Sequence, residues 1–419
     1  MTFQNGKKMT AQSVIDSWNR TMGINTRLNE LLFIDSMTAD SETVLTVKTT
    51  KPVPAFESNL CDPIASIVDV NAGTNPETNP VGTGPYMAVN YDVKKQCNVK
   101  RYDGYWGGTP KLETATFNII ADTSALAMAQ QSGESDVSLT IPSTSLSLFE
   151  NNANYVVDGA TGSRGQVMFI NFKNEFLQDI NVRKALSMCI DKDSYANGLN
   201  KGVSEPANGL FPDSFDFGGK DLKGYSYDLE GAKKLLDEAG YKDTNGDGIV
   251  EKDGEPLSLR LVFQTEEYAS WKSLCEFLKS EYEKVGVGIE LVEKESAAYY
   301  DEIWNTRDYD LCIYRSYEDS WMPHGFLKSM FYAEDGAKAV NWYDEELNKD
   351  LGEVLKTQDE EKRTELYDKI LTRINDQAVT VPLYYPNRDY IYNNTRLTNV
   401  ELAPTAYEGI NWATLDVVE

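Results

Sequence analysis

The sequence predicts an α/β protein, because segments typical of strands alternate with segments typical of helices along most of its length. Its 419 residues correspond to two or three domains, at about 150 residues per domain. Hydrophobic residues make up 41% of the chain, which is enough to form the cores of such domains. We therefore expect mixed sheets flanked by helices in more than one domain.

The alternation begins near the N-terminus. Thr10 is a predicted N-cap for a helix over residues 10–18, where apolar residues recur at helical spacing. Residues 43–49 alternate in polarity as a half-buried strand does. Residues 117–139 predict a strand, a helix and a short strand, which we interpret as a βαβ-like unit.

The second half of the chain continues the same alternation. Asp179 and Asp228 are predicted N-caps of two of its helices, and Gly240 is the predicted end of the second one. The predicted strands lie at residues 167–172, 257–263, 288–293 and 378–384, and further amphipathic helices lie at residues 271–285, 347–355 and 366–374.

Charge and composition exclude several classes of function. The chain has 40 Lys and Arg against 66 Asp and Glu, a net charge of −26, which disfavours nucleic acid and anionic membrane surfaces as partners. Apolar runs fall short of the roughly 20 residues needed to cross a bilayer, and the N-terminus lacks the apolar core of an export signal. A single histidine, His324, and five scattered cysteines exclude the common zinc motifs.

Six segments, in series along the chain, resemble the peptide and nickel solute-binding proteins of ABC importers, extracytoplasmic family 5. Each is a weak motif alone, but together they occur in the order typical of that family and span almost the whole chain. They are FQNGKKMTA (3–11), NPVGTGPY (79–86), YWGGTPK (105–111), NVRKAL (181–186), YDLEGAKKLLDEAG (227–240) and AVTVPLY (378–384).

The resemblance implies a periplasmic-binding-protein-like fold with two lobes, a hinge and a ligand cleft between the lobes. We expect a first lobe at residues 1–163, truncated at its N-terminus relative to the family, a second lobe at 164–384 and a return segment at 385–419 that packs on the first lobe. It also implies a monomeric extracytoplasmic protein, periplasmic or lipid-anchored, that delivers its ligand to a membrane permease and catalyses no reaction.

The ligand implied first by the resemblance is a short peptide. Asp319 falls where the peptide-binding branches have an aspartate that pairs with the α-ammonium of the ligand, and a charge-assisted bond in a closed cleft is strong. The alternative is a solvated loop carboxylate. The neighbouring residues of the 314–324 loop predicted to contact the ligand are Tyr314, Arg315, Tyr317, Trp321 and His324.

A nickel ion or nickel chelate (metallophore) is the alternative ligand, because residues 320–330 are similar to the nickel-binding branch. That branch has a further histidine shortly after this segment, and residues 330–335 contain none. One imidazole forms no metal cluster, so His324 is expected to support the loop rather than to bind metal directly.

A second candidate metal site lies at residues 243–255. Oxygen ligands at the first, third and fifth positions and a glycine at the sixth match the first half of an EF-type calcium loop, but the twelfth position is Gly254. A structural calcium ion there competes with a plain Asx-turn loop as the interpretation. The residues that would hold it are Asp243, Asn245, Asp247, Ile249 and Glu251.

The alternative from another class is a glycoside hydrolase. The 66 carboxylates and 24 tyrosines could include a catalytic acid pair and sugar-stacking walls. No acid pair stands out at a strand end, so we expect a binding protein that needs no cofactor.

Overall fold

The chain divides into two compact units, one formed by Met1–Ala160 with Arg388–Glu419 and the other by Thr161–Asn387. We call them unit 1 and unit 2. The structure is a computed structural model. It describes residues 1–139, 141, 143–200, 203–213, 219, 221–317, 323–334, 339–403, 409–412 and 414–418.

Unit 1 begins with a helix and a hairpin and continues with a three-stranded antiparallel sheet, β3-β4-β5. Its helices are α1 (Ala11–Ile24), α2 (Arg27–Leu32), α3 (Phe56–Asn59), α4 (Thr123–Ser132) and α5 (Ser143–Leu146). Its strands up to the boundary are β1 (Ile34–Ala39), β2 (Leu45–Thr49), β3 (Tyr86–Asp92), β4 (Gln96–Arg101), β5 (Thr114–Asn118), β6 (Val137–Leu139) and β7 (Tyr155–Thr161).

The first helix of unit 1 forms as the sequence predicts. Thr10 is its N-cap and takes part in a capping box with Ser13. Trp18 packs in a core with Val14, Leu28 and neighbouring apolar residues, and its indole nitrogen donates to the carbonyl of Ala65 at 2.9 Å. The apolar face of α1 therefore anchors the N-terminal part of unit 1.

Unit 2 is built on a mixed sheet in which strands follow the order β13-β12-β14-β8-β15. Its strands are β8 (Gln166–Ile170), β9 (Ser204–Pro206), β10 (Glu251–Lys252), β11 (Glu255–Pro256), β12 (Ser258–Phe263), β13 (Gly288–Glu293), β14 (Leu311–Arg315) and β15 (Thr380–Asn393), the last of which continues into unit 1. Its helices are α6 (Ile180–Met188), α7 (Leu229–Glu238), α8 (Trp271–Glu283), α9 (Ser296–Asp301), α10 (His324–Phe331), α11 (Glu345–Val354) and α12 (Glu360–Asp376). The chain ends in unit 1 with β16 (Leu397–Thr398) and β17 (Asp416–Val417).

The central strands of unit 2 run in two directions. β12 pairs in parallel with both β13 and β14, while β8 is antiparallel to β14 and to β15. All five residues of β8 are buried, as expected for a strand covered on both faces. The predicted strand–helix–strand unit at 257–293 is confirmed as β12, α8 and β13.

The predicted βαβ-like unit at residues 117–139 is wrong. Strand, helix and strand are present in that order, but β5 belongs to the antiparallel sheet of β3 and β4, whereas β6 pairs with the Tyr390–Tyr392 part of β15. Alternating polarity predicts that a segment is a strand and does not identify its partner. Sheet membership here depends on a residue more than 250 positions away.

Among the described residues, no helix combines the length and the apolar character that crossing a bilayer requires.

Candidate functional site

The candidate site lies at one end of the central strands of the unit 2 sheet, where the parallel strands β12 and β14 both end. Val262 is level with Cys312, so Gln264, directly after β12, and Arg315, the last residue of β14, come to the same edge. The antiparallel strand β8 begins there, with Gln166 opposite Arg315. Ligands of open α/β sheets bind outside the carboxyl ends of the strands. We call these residues and their immediate partners the Arg315 site.

Arg315 places a cation at this edge without a neutralising carboxylate among the described residues. Its side chain is half-buried, its Nε donates to the hydroxyl of Tyr268, and its guanidinium carbon lies 5.9 Å from the centre of that ring. Burial works against the charge, but the surrounding tyrosines, Tyr268 first, raise the pKa of Arg315 above its ordinary value. A half-buried cation held by tyrosines is an anion-binding group.

An aromatic pair positions the Arg315 guanidinium. Tyr268 stacks on Trp271, with ring centres 4.2 Å apart and an interplanar angle of 12°. Trp271 is 1% exposed, and its indole nitrogen donates to Oε1 of Gln166 at 2.9 Å. Because Trp271 is buried and bonded to Gln166 at the start of β8, it supports one face of the Tyr268 ring, whose hydroxyl accepts from Arg315.

The loop after β12 carries a second polar group at the edge. Gln264 is fully buried, and its Oε1 accepts from the backbone N–H of Glu267 at 2.8 Å. Its Nε2 has no hydrogen-bond partner among the residues that the structure describes. A buried amide donor without an acceptor is costly, so this group also favours a ligand that supplies one.

The connection after β14 is held close to the start of β8. The Ser316 N–H donates to the carbonyl of Gly165 at 2.7 Å, and the Ser316 hydroxyl accepts from the Gly165 N–H at 2.8 Å. A Cβ at Gly165 would lie 2.8 Å from the carbonyl oxygen of Leu210, which explains the glycine. These two hydrogen bonds between Ser316 and Gly165 fix the direction in which the chain leaves Arg315.

Two predicted ligand residues have packing roles in unit 2. Tyr314 is 6% exposed and lies between Phe169 and Trp304, with ring centres 5.4 and 6.0 Å away. Tyr317 packs edge-on against Phe326, and its hydroxyl hydrogen-bonds to that of Ser329 at 2.6 Å. Their contact with a ligand stays a prediction.

His324 is the first residue of α10 and is half-buried. Burial, reinforced by the cations Arg363 and Lys328, lowers the pKa of His324 to about 4. The imidazole is therefore neutral near pH 7, which is the form that binds metals. Asp319 and Trp321, the other predicted ligand residues, lie outside the described residues.

The candidate calcium loop closes on its own backbone. Asp243 accepts from the N–H groups of Gly246 and Gly248 at 2.7 and 3.0 Å, and Asn245 and Asp247 each accept from the N–H two residues further on at 2.8 Å. Oε1 of Glu251 accepts from Thr244. Within the described part of the chain, no three His, Cys, Asp or Glu side chains are grouped so as to hold a metal ion. Calcium binding here, with Ile249 as a backbone ligand, stays a prediction.

Sequence reasoning missed Gln166, Gln264, Tyr268 and Trp271. A usable signal exists for two of them, because Gln264 and Tyr268 follow the strand predicted at residues 257–263, and polar residues after such strands are ligand candidates. Gln166 and Trp271 meet across 105 positions of sequence, and their bond follows only from the packed structure.

The fold is that of an α/β protein, and comparison with known proteins identifies its family. The model for the middle part of the bacterial extracellular solute-binding proteins, family 5, matches residues 1–338. The chain is 29% identical over 340 residues to the nickel-binding periplasmic protein of Escherichia coli, covering 78% of this chain and 64% of that one. It is 25% identical over 415 residues to the oligopeptide-binding protein AppA of Bacillus subtilis, covering 92% and 74%.

Solved structures agree. A nickel ABC transporter protein from Bacillus halodurans superposes with a TM-score of 0.85 at 27% identity, covering 99% of this chain and 86% of that chain. NikA from Brucella suis, solved in complex with Fe(III)-EDTA, has the same fold with a TM-score of 0.87 at 24% identity, covering 100% and 86%. The chain thus belongs to the family 5 bacterial extracellular solute-binding proteins. The α/β fold of this class is confirmed, and nothing in these comparisons supports a glycoside hydrolase.

Proposed function

We propose that this chain is the extracytoplasmic substrate-binding component of an ABC importer, and that it captures a short peptide whose carboxylate binds Arg315. The observation that carries the proposal is the half-buried Arg315 guanidinium, which has a tyrosine and no carboxylate as its partner in the described part of the chain.

The acidic composition of the chain makes the surroundings of Arg315 unusual. In a chain with 66 acidic residues and a net charge of −26, a cation has many possible carboxylate partners. Arg315 instead lies among tyrosines at the strand ends. A peptide C-terminus would give it the bidentate partner that guanidinium favours, and an amide carbonyl of the same peptide would be an acceptor for Nε2 of Gln264. Both groups occur in every peptide, which suits a protein that takes peptides of varied sequence.

A nickel chelate is the second candidate, and its support comes from relatives, since two of the similar proteins described above are named for nickel. Here the carboxylate on Arg315 would belong to the chelator. The cations Arg363 and Lys328 that help to lower the pKa of His324 also oppose a metal ion beside it, so His324 is not the metal ligand in this candidate.

Thermal shift measurements separate the two candidates. A ligand at about 100 times its dissociation constant adds ~2.7 kcal/mol to the free energy of unfolding. We expect such stabilisation by members of a library of peptides of about two to five residues, and none by nickel chloride with histidine. Stabilisation by nickel with histidine alone, and by no peptide, would replace the peptide assignment with the chelate.

A carboxylate requirement is common to both candidates, so the panel also includes each active peptide as its C-terminal amide. Equal stabilisation by a peptide and its amide would show that the peptide carboxylate does not bind Arg315. The variant Lys233→Gln, which removes one exposed positive charge from α7 of the same unit, controls for net charge.

A further inference from the structure

A cavity lies in unit 2 at the opposite end of the central strands from Arg315. It has a volume of about 390 Å³, and its lining includes Asn171 and Lys173 from the connection after β8, and Arg307 and Tyr309 from the connection before β14. Because β8 and β14 are antiparallel, with Ile170 opposite Leu311, these two connections meet at the amino end of β14. The cavity is therefore separate from the Arg315 site.

Two cations of this cavity have no carboxylate partner among the described residues. Lys173 Nζ donates to the backbone carbonyl of Thr306 at 3.3 Å, and no ion pair of Arg307 occurs in the described part of the chain. By contrast, Arg260 on the adjacent strand pairs with Asp308 at 2.7 Å. Both residues line the same cavity, Lys173 from its exposed side, so an anion bound there would be stabilised by two positive charges.

Asn341 is an uncharged polar residue in the lining of the same cavity. Both polar atoms of its side-chain amide, Oδ1 and Nδ2, are buried and have no hydrogen-bond partner among the described residues. Its backbone N–H is fixed by the carbonyl of Met330 at 2.8 Å. A buried donor and a buried acceptor on one side chain match a group that offers an acceptor and a donor side by side, as the carboxylate and the amide N–H of an N-acylated amino acid do.

The cavity is rigid where it carries these groups. The Asn171 amide donates to the carbonyls of Arg307 and Tyr309 at 2.9 and 2.6 Å, and its oxygen accepts from the Lys173 N–H at 3.1 Å. Phe172 contributes an aromatic wall, which is held in turn by the Arg183 cation 4.8 Å from its ring centre. A ligand therefore meets a preformed pocket with an apolar side.

We propose that this cavity binds a carboxylate with an adjacent secondary amide, the chemistry of an N-acylated amino acid or of a peptide C-terminus. The carboxylate interacts with Arg307 and Lys173, the amide N–H donates to Oδ1 of Asn341, and Nδ2 of Asn341 donates to a carboxylate oxygen of the same residue. The site is independent of the function proposed for the Arg315 site, since no residue is common to both.

Isothermal titration calorimetry with N-acetyl-L-alanine tests the proposal. We expect the intact chain to bind it, Arg307→Gln and Asn341→Leu each to weaken binding at least tenfold, and its methyl ester to bind no better than the acid binds to Arg307→Gln. Binding that persists in Arg315→Gln and is weakened when Arg307→Gln is added belongs to the cavity, which separates it from the proposed peptide site. An N-acetylated pentapeptide with a free C-terminus shows whether chain ends are accepted as well as single residues.

Lys349→Gln is the matched control, because it removes one exposed positive charge from α11 of the same unit. The proposal is overturned if N-acetyl-L-alanine does not bind at millimolar concentration, if its ester binds equally well, or if Arg307→Gln and Lys349→Gln behave alike. Far-ultraviolet circular dichroism and the melting temperature of each variant show that loss of binding is not loss of fold.

Discussion

Arg183 shows how a single buried charge holds unit 2 together. The side chain is 4% exposed, and it donates four hydrogen bonds to three backbone carbonyls, those of Leu177, Gln178 and Gln377. Gln377 precedes β15, so one guanidinium ties the start of α6 to a segment 194 positions away. Burial lowers the pKa of Arg183, and the nearby Asp179 opposes that effect.

Replacing this cation removes all of these bonds at once. We expect Arg183→Met to lower the free energy of unfolding by about 3–5 kcal/mol, because three buried carbonyls lose their donor at about 1–3 kcal/mol each. Arg260→Met is the control, because Arg260 is 39% exposed in its ion pair with Asp308, and such pairs are worth less than about 1 kcal/mol. Urea denaturation measures both, and equal losses would contradict the account of Arg183.

Asp389 in unit 1 gives the fold a dependence on pH. Burial, together with the nearby carboxylate of Asp158, raises the pKa of Asp389 from 3.8 to about 6. The folded state thus binds the proton more tightly than the unfolded state, and this group's contribution to stability falls as pH rises from about 4 to about 6.

Asp389→Asn keeps the shape of the protonated acid and removes the charge. Its melting temperature should match that of the parent chain below pH 4 and exceed it by a few degrees above pH 6. The exposed Asp35→Asn serves as a control. Thermal unfolding over this pH range checks the expectation, which fails if the difference between Asp389→Asn and the parent is constant with pH.

The sequence predicts that Asp319 binds the α-ammonium group at the N-terminus of a peptide ligand. If it pairs with the α-ammonium, Asp319→Asn should weaken binding of a free peptide by about 2–5 kcal/mol. N-acetylation of the peptide should cost the parent chain a similar amount and cost the variant little more, as a double-mutant cycle requires. Equal binding of acetylated and free peptide to the parent chain would leave Asp319 as a loop carboxylate.

Residue-scale prediction from sequence succeeded where the chemistry is local. The N-caps at Thr10, Asp179 and Asp228 are all present, because a cap depends on a side chain and an N–H within three residues. That Arg315 has no carboxylate partner among the described residues could not be predicted in this way. It depends on which tyrosines and carboxylates from different strands and loops meet at the ends of the central strands.

At the scale of elements, the loop at residues 243–255 allows a direct test. Its side-chain oxygens already accept backbone N–H groups, and we expect it to fold as a turn without an ion. EDTA should therefore leave the melting temperature unchanged. A drop of several degrees that calcium restores and magnesium does not would show that Glu251, with its buried second carboxylate oxygen, completes a calcium site.

Element types were easier to predict than element partners. The strand at 288–293 forms at the predicted residues, and the helices of 347–355 and 366–374 appear as α11 and α12. Their apolar periodicity is strong and continuous. The βαβ-like interpretation failed because β5 and β6 join different sheets, and short half-buried strands contain too little pattern to identify a distant partner.

For the whole molecule, the family could be predicted from the sequence and the ligand could not. Six motifs in series identify a family, since their order reflects the whole chain. Ligand choice depends on a few side chains at the ends of strands, and relatives at 25–29% identity are named for both nickel and oligopeptides. Fold alone does not determine such a site.

The central claim is that Arg315 binds the carboxylate of the ligand. Isothermal titration of the most stabilising peptide and of its C-terminal amide, against the parent chain and Arg315→Gln, tests it most directly. We predict that amidation and the substitution each cost the parent complex about 2–5 kcal/mol, and that the amide loses little more when Arg315 is also replaced. If the free acid binds Arg315→Gln as tightly as it binds the parent chain, the account is contradicted.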